Sequence, residues 1–190
     1  MAKELAREFR APLVTSTVSR LLVDLNRSIG HRQLFSAAMR GTPATLRAEV
    51  VDQHYRPYRA QVERLVRQRV SRGCRVIHIS SHSFTPKLSG NVRRADVGLL
   101  YHPGRHGEAA LCARWKASLA ALAPELRVRR NYPYAGKGDG LTKYLRQRFP
   151  PGAYVGIELE VNQGIVIKAG RRWTALRRVL IASLRAACAP

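Results

Sequence analysis

The chain has 190 residues, and its 34 Lys and Arg outnumber its 12 Asp and Glu, for a formal net charge of +22. A chain of this length forms one domain with a proper core. Its 45% hydrophobic content argues against disorder, and no apolar run reaches the roughly 18–20 residues of a membrane span.

The N-terminal "MAKELAREFRAPL" lacks the apolar centre of a signal peptide. Cys74, Cys112 and Cys188 are too widely spaced for a disulfide framework or a zinc ribbon, so a reducing cytoplasm is expected. The positive charge attracts polyanions, which makes nucleic acid a candidate partner. It comes from 28 Arg and 6 Lys spread along the whole chain, and the aromatic residues do not interleave with them in a nucleic-acid-binding signature. A solvated basic surface is the plainer reading.

In chain order, "APLVTS" (11–16) and "RLLVDL" (20–25) have the length and apolarity of short strands. Pro57 suits a first helical turn; Val62, Leu65, Val66 and Val70 recur at helical spacing, and Gly73 ends that helix. "RVIHIS" (75–80) and "DVGLLYH" (96–102) are strands, followed by a helix from Glu108 to about Leu122. "LRVRR" (126–130) fits an edge strand, and "GDGLTKYLRQRF" contains a short helix. "AYVGIELEV" (153–161) is a strand and "WTALRRVLIASLRAA" (173–187) an amphipathic closing helix. Such alternation predicts a single α/β domain, a mixed and mostly parallel sheet flanked by helices. Ligands of such sheets gather at strand carboxyl ends.

Three strand ends carry unusual polar residues. "LLVDLNRS" stops on Asn26 and Arg27; an arginine fork with an amide beside it suits a carboxylate. In "VIHISSHSFTP", His78 and His82 share a strand face but lie about 13 Å apart, too far to ligate one ion together. His78 reads as a hydrogen-bonded core histidine. His82 sits among Ser80, Ser81 and Ser83, a place for a metal ligand or an acid–base group. In "GIELEV", Glu158 and Glu160 share a face roughly 7 Å apart. A carboxylate there is costly to bury unless it is paired, bound or used, and a base in such a setting activates water.

Taken in order, "SRLLVDLNRS", "YRPYR", "ISSHSFTP", "ADVGLLYHP", "YAGKGDGLT" and "YVGIELEVNQ" resemble successive blocks of the N-formylglutamate amidohydrolase family, across residues 11–163. That family is similar to the zinc carboxypeptidases. The resemblance implies a zinc-carboxypeptidase- or phosphorylase/hydrolase-like fold and a zinc cofactor. Its substrate would be a small N-formyl or N-acyl acidic amino acid. It further implies Asn26 and Arg27 as the grip on the substrate carboxylate, His82 as a metal ligand, Glu158 as the base and Tyr134 as a residue over the substrate. Glu158 rather than Glu160 matches the family position.

The resemblance also marks a departure. Family members carry a histidine and an acidic zinc ligand on an N-terminal strand and loop, whereas Met1 here falls within what looks like the following helix. The expectation is therefore a domain spanning 1–190 that lacks its first strand and part of its metal site. His31, His54 with Asp52, His102 and His106 have no convincing ligand spacing. The leading reading is a metal-dependent amidohydrolase. The alternatives are a non-catalytic truncated homologue and an Arg-rich nucleic-acid binder.

Overall fold

A computed structural model describes residues 1–167 and 170–189. The chain divides into two compact units, one of Met1–Ala11, Ile77–Gly138 and Val155–Pro190, the other of Pro12–Val76 and Asp139–Tyr154. Among the described residues, no helix is long and apolar enough to cross a membrane.

The first unit is built on a four-stranded sheet. Its strands β1 (Val76–Phe84), β4 (Val97–Leu100), β5 (Val128–Arg130) and β6 (Tyr154–Asn162) lie in the order β1-β6-β4-β5. β4 runs parallel to β5 and antiparallel to β6, so the sheet is mixed. Helices α4 (His106–Leu122) and α7 (Gly170–Cys188), with α1 (Ala2–Glu8), bury one of its faces. Leu111, Trp115 and Leu119 recur every four residues on α4, as do Leu176, Leu180 and Leu184 on α7, and all six join Val155, Ile157, Leu159 and Val161 in one core. Trp115 carries a polar handle into that core, and its indole N–H donates to Ser183 Oγ at 2.9 Å. The α/β architecture expected from the alternation is thus present. A small hairpin of β2 (Lys87–Leu88) and β3 (Asn91–Val92) was not anticipated; its two turn residues, Ser89 and Gly90, both have positive φ.

One glycine decides how a loop crosses the sheet. A Cβ at Gly98 would lie 2.0 Å from the Tyr132 carbonyl oxygen, so the bare backbone admits that loop. Asn131 fastens the same loop to β4, its Oδ1 accepting the N–H groups of Tyr101 and Gly136 at 3.0 and 3.1 Å. Gly98→Ala is expected to destabilise the protein by about 1–3 kcal/mol in urea unfolding. Gly152→Ala, which meets nothing within 4 Å, should change little.

The second unit is helical. α2 (Ala44–Val50) passes through a π turn (Val51–Tyr55) into α3 (Arg56–Val70), and α5 (Leu141–Arg146) packs on α3 through Val62, Val66, Leu141 and Leu145. α3 thus starts at Arg56 with Pro57 in its first turn, as expected, but it continues from α2 through the π turn instead of opening from a loop. Pro57 has no N–H for the Gln53 carbonyl, and its ring crowds that carbonyl. A wider turn just before it absorbs both problems without breaking the helix.

The strands expected at 11–16 and 20–25 are absent. "RLLVDL" instead winds through turns: Leu22 and Val23 donate to the Ser19 carbonyl, and Asp24 N–H donates to Leu34 O at 2.8 Å. Its apolar residues do not serve one face. Val23 is fully buried among Leu34, Val51 and Tyr55, while Leu21 is 65% exposed.

Candidate functional site

Alternation along β6 and β1 sorts the predicted catalytic residues of the first unit. Ile157 and Leu159 are fully buried in the helix-covered core, so Glu158 and Glu160 point to the other face. Ile79 packs against the same core, which places His78, Ser80 and His82 of the neighbouring strand on the face of the two glutamates. Glu158 is half-buried and pairs in register with Leu100; Glu160 is buried and lies opposite Gly98. His82 Nε2 and Ser80 Oγ lie 2.8 Å apart.

Two anchors fix β6. The fully buried Glu108 of α4 accepts the Gly156 N–H at 3.2 Å and the His102 N–H at 2.7 Å, so its charge is met by backbone donors. At the strand's end, Asn162 Nδ2 donates to Ala95 O while its Oδ1 accepts the Gly164 N–H and caps α6 (Gln163–Val166). Tyr134, also in this unit, is 46% exposed; its hydroxyl accepts from Arg93 at 3.0 Å, with the guanidinium 5.0 Å over its ring.

Asn26 and Arg27 belong to the second unit, and turns rather than a strand hold them. Asn26 N–H donates to Asp24 Oδ1 at 3.0 Å and Arg27 N–H to Asp24 O at 3.0 Å. Asn26 Oδ1 accepts the Leu141 N–H at 2.7 Å, which leaves its NH2 end for a ligand. Arg27 Nη1 donates to Asp139 O at 3.2 Å and its Nε lies 3.8 Å from Asp24 Oδ2. A guanidinium has five N–H donors, so most of this half-buried fork stays available.

Sequence reasoning missed the residues that hold this pair. Asp139 accepts Ser28 N–H at 2.9 Å and Ser28 Oγ–H at 2.5 Å. Arg59, 4% exposed, donates from Nη1 to the carbonyls of Leu25, Asn26 and Arg27, and Tyr55 donates to Arg27 O at 2.7 Å. Their signals were present: Asp139 stands between two glycines, and Tyr55 and Arg59 bracket "YRPYR".

Burial pushes the Asp139 carboxyl up, but the two Ser28 hydrogen bonds, with His31 and Arg27 nearby, outweigh it and leave the group below its ordinary 3.8. A carboxylate lowered on folding stabilises the protein above its unfolded pKa and loses that contribution as pH falls through the folded one. Asp139→Asn should therefore cost about 1 kcal/mol at neutral pH. The deficit should shrink in thermal melts as pH falls below the ordinary 3.8 and through the lowered folded value, where the wild-type carboxyl itself protonates.

A catalytic zinc takes three protein ligands and keeps one open position. Among the described residues, no three His, Cys, Asp or Glu side chains gather closely enough to hold a metal ion. His82 alone does not make such a site.

Comparisons with known proteins agree with this architecture. The structure resembles that of a gene product from Agrobacterium tumefaciens, with a TM-score of 0.82, 25% identity, and coverage of 98% of this chain and 74% of that one. It also resembles an N-formylglutamate amidohydrolase from Ralstonia eutropha, with a TM-score of 0.73, 20% identity, and coverage of 98% and 81%. No curated protein matches in sequence. The sequence profile described as N-formylglutamate amidohydrolase matches residues 1–167, and the chain belongs to that family.

Proposed function

We propose that the chain hydrolyses the amide bond of an N-formyl or N-acyl acidic amino acid of the N-formylglutamate kind. The observation that carries this reading is Glu158, a half-buried carboxylate on the polar face of a strand whose other face is fully buried core. Family membership supplies the reaction class.

In this reading Arg27 and Asn26 hold the substrate carboxylate, the arginine as a charged fork and the amide as a further donor. Glu158 takes a proton from water as the water oxygen bonds to the acyl carbon. The C–N bond then breaks, Glu158 returns the proton to the departing amine, and formate and the free amino acid leave. Tyr134 lies over the substrate in this reading. The chain works in the cytoplasm, where its three cysteines stay reduced.

Incubation with N-formyl-L-glutamate, followed by detection of formate and glutamate in equal amounts, tests the activity; absence of both overturns it. The same reading assigns His82 to a metal. A calorimetric zinc titration beside His82→Ala tests that part, and tight binding lost in the variant supports it. Zinc uptake that is absent or unchanged by the substitution removes His82 from the site.

A further inference from the structure

We propose that Arg59, assisted by Tyr55, is the positioning residue of the Asn26–Arg27 seat, and that it sets how tightly an acidic ligand is held; the second half rests on the carboxylate reading above. One nitrogen, Nη1, meets three consecutive carbonyl oxygens, those of Leu25 at 3.2 Å, Asn26 at 3.4 Å and Arg27 at 3.2 Å. Three successive carbonyls reach one donor only where the chain bends around it, so this contact dictates the curvature of the segment that presents both side chains. The Tyr55 hydroxyl adds a bond to Arg27 O at 2.7 Å.

Arg59 is itself clamped. Its guanidinium carbon lies 5.0 Å from the Tyr55 ring centre and 4.4 Å from that of Tyr144. Tyr144 is held by its bond to Glu63 at 2.7 Å and by the Arg148 guanidinium 3.5 Å from its ring centre. The π turn ends on Tyr55, so the local widening that accommodates Pro57 fixes the register in which Tyr55 and Arg59 face residues 25–27.

Packing alone does not explain the residue. Arg59 is 4% exposed, and its Nη2 is buried without a hydrogen-bond partner among the described residues. A methionine or leucine would fill the same space without desolvating a cation. The guanidinium supplies what they lack, a fork for the carbonyls and a positive charge next to the main chain of an anion site.

Two measurements on the intact chain test this, with Val66→Ala, a core substitution, as the stability control. The first is hydrogen exchange at the amides of Asn26, Arg27 and Ser28 without ligand; the second is calorimetric binding of L-glutamate. Tyr55→Phe removes one hydroxyl and should fold normally, speed exchange at these amides and weaken glutamate about three- to tenfold. Arg59→Lys keeps the charge but not the fork, and should weaken glutamate about tenfold or more. Exchange at 26–28 that is unchanged, or changed only as much as in Val66→Ala, overturns the positioning role. If the wild type binds no glutamate while exchange responds as expected, positioning stands and the carboxylate reading falls.

Discussion

Glu158→Gln is expected to lower kcat for N-formyl-L-glutamate by about 10²–10⁴-fold, the usual contribution of a general base, with KM changed only a few-fold. The substitution is nearly isosteric, so packing beside Leu100 and between the strand's apolar neighbours is kept. What is lost is the capacity to accept a proton. A fall in kcat and kcat/KM together identifies an interaction made in the transition state rather than in ground-state binding. Glu160→Gln is the necessary partner measurement. Glu160 lies on the same face but is buried, 5% exposed, opposite Gly98 and under the Tyr132 crossing. Its replacement should show in stability more than in turnover. The reverse pattern, with Glu160→Gln inactive and Glu158→Gln near normal, would transfer the base to Glu160.

The contrast between β6 and the 20–28 segment shows what the sequence made legible. "YVGIELEV" places its apolar residues at every second position over eight residues, and a strand has period two, so the pattern and the geometry agree and both glutamates share one face. "RLLVDL" is as apolar, but its character is a short run without alternation, which periodicity cannot assign. There the decisive groups are the carbonyl of Ser19, which collects Leu22 and Val23, and the carboxylate of Asp24, which collects Asn26 N–H. Local hydrogen bonds of this kind outcompete strand pairing without leaving a hydrophobic signature.

The helical path before Pro57 was illegible for a related reason. Pro57 is a sound start signal when the chain before it is not helical, but Ala44–Val50 already was, and a π turn has no sequence period of its own. The donors of Asn26 and Arg27 that would suit a carboxylate are legible because they are carried by two adjacent side chains. Their support is not, because Asp139 and Arg59 are distant in sequence and act on backbone atoms.

Arg27→Met should raise KM for N-formyl-L-glutamate by about 10²–10³-fold, equivalent to about 3–4 kcal/mol, because it removes the charged partner of a carboxylate in a half-buried setting. The seat itself should survive. Asp24 keeps its 2.5 Å pair with Arg20 and its bond from Asn26 N–H, and Asp139 keeps both bonds from Ser28. The unfolding midpoint should therefore move little, which separates lost recognition from lost fold. Arg27→Lys tests the geometry, since a lysine supplies the charge as a point rather than a fork and should recover only part of the affinity. Substrate analogues then show which carboxylate is read. When either the α-carboxylate or the side-chain carboxylate is converted to an amide, the wild type should lose affinity for one analogue in particular. Arg27→Met should no longer distinguish that analogue from N-formyl-L-glutamate. If the variant keeps the wild-type preference between them, Arg27 is not the carboxylate's partner, and the donors that remain nearest on this segment, those of Asn26, become the ones to replace next.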